Sequence, residues 1–152
     1  MRRLPVRQAG WVRQIVAQMP FYRFMGIHLT KLGWGRSEIT IKVRSALTQR
    51  AGIAHGGVSA ALIDSAVGLA ICTLIDPGTA IMTIDLQVNF LAPAKPGSLT
   101  ARGRVVHKGK RTAVGDCQVV DEHGKLVSRG SATYLILENN RLEPIRQCAH
   151  WD

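Results

Sequence analysis

The sequence predicts an α+β domain: a curved antiparallel sheet of about six strands wrapped around one long apolar helix, with an extra helix at the N-terminus. Three observations predict it. Residues Gly56 to Ile75 form a continuous run of small and apolar side chains, long enough for a helix and interrupted by one charge. Six other segments have strand character, and most alternate apolar with polar residues. The order helix, two strands, helix, four strands leaves a sheet with one apolar face, which a single long helix can cover.

The first helix is expected over Val6 to Met19, where Val12, Ile15, Val16 and Met19 recur at three- and four-residue spacing. Pro20 stops it, and Phe21 to Met25 adds a short turn before Gly26. Strands follow over Ile27 to Leu32 and Ser37 to Arg44; in the second, Ile39, Ile41 and Val43 alternate with Thr40, Lys42 and Arg44. Ser45 to Ala54 reads as a loop leading into the long helix, which Asp76-Pro77-Gly78 breaks. In the next strand the alternation sets Ile84, Leu86, Val88 and Phe90 on one face and Thr83, Asp85, Gln87 and Asn89 on the other. Pro93 to Gly97 is a turn, and Leu99 to Val106, Thr112 to Val120 and Leu126 to Leu137 are three further strands. Residues 1–25 are thus a helix and lead-in, 26–138 the main domain, and 139–152 a polar tail.

With 152 residues and 46% hydrophobic content the chain can bury a core as one domain. The net charge of +10 favours an anionic partner, while an aromatic content of 5% argues against a platform for stacked bases. No nucleic acid is therefore expected. Cys72, Cys117 and Cys148 have no metal-ligand spacing and read as reduced thiols of a cytoplasmic protein. The N-terminal Met1 to Arg7 is basic but lacks a secretory apolar region. Central Asp64 and the glycines and serines of the long helix argue against a membrane span.

Asp64 is the only charged residue between Gly56 and Ile75. A carboxylate in such a run is costly unless it is partnered, hydrated or used. The run opens with His55-Gly56-Gly57, where a helix N-terminus exposes backbone N–H groups to an anion or a developing oxyanion. Asp64 lies eight residues after Gly56, about 12 Å along the helix axis. One helix cannot bring both to the same carbonyl. Two such helices, antiparallel about a two-fold axis, can, so a homodimer with shared sites is expected.

The pattern Gln49-x-x-Gly52-x-x-His55-Gly56-Gly57, then Asp64, Thr83-Ile84-Asp85-Leu86 and Asn89-Phe90-Leu91-x-Pro93 resembles the hotdog-fold acyl-CoA thioesterases. It is most similar to the PaaI-like group, named for phenylacetate catabolism, and the likeness covers about residues 20 to 137. The resemblance implies hydrolysis of an acyl-CoA, with a medium- or long-chain or aryl acyl group, in the manner of fatty acid metabolism. It implies no metal and no cofactor, coenzyme A being part of the substrate, and a homodimer or a homotetramer built as a dimer of dimers. By position, Gly56 would polarise the thioester carbonyl, and Asp64 would act as general base or nucleophile. Gln49 and Thr83 would orient water or substrate, and His55 would shape the helix start or contact the thioester. Gly57, Lys95, Arg102 and the basic turn Lys108, Lys110 and Arg111 are candidates for holding coenzyme A. Two positions depart from the family: Gly68 stands one turn beyond Asp64, where some relatives carry a hydroxyl, and Arg50 lies in the loop beside Gln49. The alternative is a non-catalytic acyl-CoA-binding or sensing protein. A hydratase would need a different pairing of histidine and acid.

Overall fold

A computed structural model describes residues 3–137. The polar tail and Cys148 lie outside the described residues. In chain order the elements are α1 (Val6–Gln18), α2 (Pro20–Met25), β1 (His28–Gly33), β2 (Arg36–Lys42), a 3-10 turn (Ser45–Leu47), α3 (Gly56–Cys72), β3 (Ala80–Phe90), β4 (Ser98–Lys108), β5 (Thr112–Val120) and β6 (Leu126–Leu137). All six strands join one sheet in the order β1-β2-β4-β5-β6-β3, each neighbouring pair antiparallel. α3 packs on β2, β4, β5, β6 and β3, so the sheet wraps it. This is the expected hotdog architecture.

Local chemistry sets the boundaries. Pro20 has no N–H to donate and takes the first position of α2, while Met19 before it is extended. The segment expected as a short turn is thus a six-residue helix, ended by Gly26 in the left-handed region at φ 73°. The expected loop before α3 contains the 3-10 turn and an isolated bridge between Thr48 and Ala54. α3 stops at Cys72, three residues short of the apolar run, because Thr73 leaves the helix and bonds Ala70 O through its hydroxyl. Gln8 of α1 then donates to the carbonyl of Ile75 at 2.6 Å and to that of Cys72, satisfying acceptors that the helix end leaves open.

The helix touches the sheet backbone to backbone. A Cβ on Gly103 of β4 would stand 2.5 Å from Ala66 O, and one on Gly115 of β5 would stand 2.7 Å from the Val67 side chain. Ser37 of β2 donates to the same Ala66 carbonyl at 2.6 Å. Around this seam Leu62, Ile63, Val67, Ile71, Ile39, Ile41, Leu99 and Val119 are fully buried, and Val12, Tyr22 and Met25 join the same core from the N-terminal helices. One sheet buries α3 on nearly every side. Only Gly56 at the start and Gly57, Ala60, Ala61 and Asp64, a stripe at helical spacing, keep some exposure.

Strand β3 corrects the expected alternation. Thr83 pairs with Tyr134 and Asp85 with Thr133, so Ile84 stands in a bulge with no partner. The bulge reverses the faces at this point. Thr83 turns toward α3 together with Leu86, Val88 and Phe90, and Ile84 is left 58% exposed.

The close seam makes a clear prediction. Gly103→Ala will lose about 1–3 kcal/mol of unfolding free energy through overpacking against α3. Gly10→Ala, where a Cβ meets nothing within 4 Å, will be neutral or gain up to about 1 kcal/mol. Urea unfolding of both variants measures the difference.

Candidate active site

Asp64 sits at mid-helix, and two hydroxyls from the sheet converge on it. Thr83 Oγ1 of β3 donates to Asp64 Oδ1 at 2.8 Å. The phenol of Tyr134, on β6 beside Thr83 in register, faces Asp64 Oδ1 and the Asp64 carbonyl oxygen, each at 2.7 Å. Both hydroxyls therefore meet one carboxylate oxygen. Among the described residues, Oδ2 has no hydrogen-bond partner. Burial pushes the Tyr134 phenol well above its ordinary value, and the hydrogen bond to the Asp64 carboxylate pushes it the same way. Tyr134 thus keeps its proton.

A cavity of about 480 Å³ opens beside this carboxylate. Its chemical end is Asp64, Thr83 and Tyr134; its apolar walls include Ile15, Met19, Phe21, Leu69, Ile81 and Leu86. The N-terminal helices close it, with Tyr22 beside Ser65 inside. Burial raises the Tyr22 phenol to about 12. Phe24, by contrast, is 68% exposed and takes no part in the lining.

At the helix start, His55 is the N-cap: its Nδ1 accepts from Gly57 N–H at 2.9 Å. The neighbouring Gly56 N–H has no acceptor among the described residues, and the Phe90 ring lies against Gly56, 3.2 Å from where a Cβ would be. Gln49 is exposed in a turn closed by Gly52 at φ 75°, and its backbone bonds Ile53 O. The single chain brings Asp64 and Thr83 together and keeps Gln49, His55, Gly56 and Gly57 apart from them, at the other end of the exposed stripe of α3.

The basic candidates are dispersed. Lys95 is exposed in the β3–β4 turn, next to Ala94, whose carbonyl accepts from Ala54 N–H just ahead of α3. Lys108, Lys110 and Arg111 form the β4–β5 turn at the opposite end of the sheet, all exposed. Arg102 lies on the sheet face turned away from α3, where its Nε meets Glu38 Oε2 at 3.0 Å. Burial alone would raise Glu38, but hydrogen bonds from Lys31, Thr30 and Arg102 outweigh it and hold its carboxyl below the usual range. No group of three His, Cys, Asp or Glu gathers among the described residues, and none of their helices is long and apolar enough to cross a membrane.

Tyr134 escaped the sequence reading because a tyrosine in a strand looks like ordinary core. One signal was available: Gly68 in mid-helix, on the Asp64 face, reserves space for something bulky.

A helix wrapped by an antiparallel sheet, with a partnered acid at its middle and an open N–H at its start, defines the hotdog hydrolase class. The comparisons agree: the chain belongs to the thioesterase superfamily, which matches residues 51–128. A Saccharolobus solfataricus protein bearing the provisional name of esterase is 32% identical over 91% of this chain and 92% of its own length. The 1,4-dihydroxy-2-naphthoyl-CoA hydrolase of Listeria monocytogenes is 26% identical over 77% of this chain and 95% of its own. Among solved structures, a thioesterase family protein from Silicibacter pomeroyi superposes with a TM-score of 0.81 at 30% identity, covering 86% of this chain and 98% of that one. The E. coli PaaI protein from the phenylacetic acid degradation operon shares the fold, with a TM-score of 0.81 at 24% identity over 88% of this chain and 96% of its own.

Burial raises the thiols of Cys72 and Cys117 to about 12. At pH 8 the thiolate fraction is on the order of one in ten thousand, and the thiolate is the nucleophile. In the folded protein iodoacetamide will therefore modify both at least about a hundredfold more slowly than in urea, as peptide mass mapping will record.

Proposed function

We propose that the protein is a cytoplasmic acyl-CoA thioesterase, acting as a homodimer with two shared sites and without a cofactor. The observation that carries this reading is the Asp64 carboxylate: Oδ1 is held by Thr83 and Tyr134, and Oδ2 is left unbonded beside an apolar cavity. Such a carboxylate can take a proton from water or attack a carbonyl. Membership of the thioesterase superfamily supports the reaction class, and the name of the Listeria relative supports a CoA thioester.

In this proposal the thioester oxygen rests on the Gly56 N–H, favoured by the positive end of α3. Asp64 of the partner subunit supplies Oδ2. As general base, it takes one proton from water while the water oxygen adds to the carbonyl carbon. Collapse of the tetrahedral intermediate breaks the C–S bond, the acid is released, and the proton passes to the coenzyme A sulfur. As nucleophile, Oδ2 adds to the carbonyl carbon and expels coenzyme A as its thiolate, leaving a transient anhydride; water then opens it to the acid and the free Asp64 carboxylate, and one proton of that water passes to the thiolate. Single turnover in H₂¹⁸O separates the two, because only the anhydride route can leave the label in the protein. Gln49 orients the substrate from the Gly56 side.

Two features support the dimer. The stripe Gly57, Ala60, Ala61 and Asp64 is uncovered, and edge strand β3 exposes Ile84, Leu86 and Phe90 beside it. Both suit a two-fold contact with a second copy. Antiparallel α3 helices would also bring the basic β4–β5 turn toward the partner subunit's Gly56, where Lys108, Lys110 and Arg111 can meet the phosphates of coenzyme A, with Lys95 nearby. The net charge of +10 fits that anion. Tetramers remain compatible with the polar outer sheet face. The cavity favours an apolar acyl group of medium length or an aryl group.

Release of free coenzyme A from acetyl, hexanoyl, decanoyl, palmitoyl and phenylacetyl thioesters tests the reaction. Turnover is expected on the longer or aryl substrates, falling at least about a thousandfold in Asp64→Asn. Acyl-CoA binding without any turnover would instead mark a sensor. Gly56→Pro tests the shared site: proline suits the first helical position and removes the N–H, its Cβ at 3.2 Å asks the Phe90 ring to give by a few tenths of an ångström, and His55 before it is already extended at ψ 141°. Each variant alone will be inactive. Mixed dimers of Asp64→Asn with Gly56→Pro will recover about half the activity of a wild-type dimer, since one of two sites is then intact. No recovery would overturn the shared site.

A further inference from the structure

We propose that Tyr134 is the positioning residue of Asp64 and that Gly68 is the space kept for its phenol, the two positions working as one unit. This rests on the thioesterase reading above and deepens it.

Gly68 follows Asp64 by four residues, so both lie on one face of α3. Glycine is disfavoured at mid-helix, where alanine would serve the backbone better. Here any Cβ would stand 2.8 Å from the Tyr134 phenol oxygen and 3.2 Å from Cζ. The backbone of β6 holds the ring in place, so the phenol oxygen is the group that must give, toward the cavity it lines. Tyr134 is 5% exposed, it lies in register between Thr83 of β3 and Ala113 of β5, and its oxygen is already 2.7 Å from two oxygens of Asp64. A side chain at position 68 must therefore push the hydroxyl off the carboxylate.

The carboxylate needs that hydroxyl. Thr83 alone gives one hydrogen bond, about which the carboxyl plane can still turn. With the phenol as well, Oδ1 is fixed from two strands, and Oδ2 becomes the oxygen presented to the cavity. In relatives with a hydroxyl at the position of Gly68, the helix could supply such a contact itself. In this chain the sheet supplies it, through a phenol that enters only because the helix is bare there.

The test is steady-state kinetics on an acyl-CoA that the wild type hydrolyses, with Asp64→Asn as the inactive reference. Tyr134→Phe adds no atom and keeps the ring. It is expected to lower kcat about 10- to 100-fold and to leave KM within about twofold, since only the hydrogen bond to Asp64 is lost. A merely structural ring would leave kcat unchanged. Gly68→Ala alone is expected to lower kcat similarly, its Cβ displacing the phenol without bringing a hydroxyl of its own. The pair Tyr134→Leu/Gly68→Ser is expected to recover at least about tenfold over Tyr134→Leu, the hydroxyl now coming from the helix.

Wild-type kcat in Tyr134→Phe, with Asp64→Asn inactive, would overturn this inference and leave the thioesterase reading intact. Undiminished activity in Gly68→Ala, or no recovery in the pair, would overturn the linkage between the two positions. A wild type inert toward every thioester would overturn both readings together. Should Gly68→Ala fail to fold, Tyr134→Phe alone decides.

Discussion

The contact on which this structure depends is the backbone approach of α3 to the sheet at Gly103, Gly115 and Ser37. Side chains normally hold a helix well clear of the strands beneath it. With two glycines below Ala66 and Val67, and a serine hydroxyl on the Ala66 carbonyl, α3 settles into the curve of the sheet instead. The strands on either side can then reach around it. Thr83 and Tyr134 come within hydrogen-bonding distance of a carboxylate at mid-helix only because the helix lies so low. The same depth leaves one narrow stripe uncovered, and Asp64 is in it. A carboxylate half sheltered by hydroxyls and half open is a product of packing before it is a product of chemistry.

Much of this was legible in the residues. The order of elements follows from apolar periodicity and from Pro20, Gly26 and Asp76-Pro77-Gly78, all of which act locally. Asp64 was visible as the lone charge in an apolar run. The separation of Asp64 from Gly56 was visible as well, because helical rise depends on residue count alone. What sequence could not supply was register. Strict alternation along β3 set Thr83 on the face away from α3, and the unpaired Ile84 reverses it. A bulge is decided by how two strands meet, and one strand's pattern does not encode that. Tyr134 was hidden for a related reason: its partner Asp64 is seventy residues away and only the packing of α3 on β6 joins them.

His55 shows a different limit. Its position before two glycines marked it for the site, yet its Nδ1 is committed to the Gly57 N–H. That commitment has its own use. By taking up the second amide of the helix, the imidazole leaves the first one, on Gly56, as the open donor. Of the two readings of the residue, the helix-start one is what the geometry displays.

One wall of the cavity is made by Ile15, Met19, Phe21 and Tyr22, all upstream of the stretch that matches the superfamily. Asp64, Gly56 and Thr83 all fall within it. Depth and reactivity are therefore written in separate parts of the chain, joined where Gln8 grips the end of α3. Changes before residue 26 can lengthen, shorten or reshape the space offered to a ligand while the carboxylate and its hydroxyls stay in place. A scaffold divided in this way can exchange its clientele without relearning its reaction.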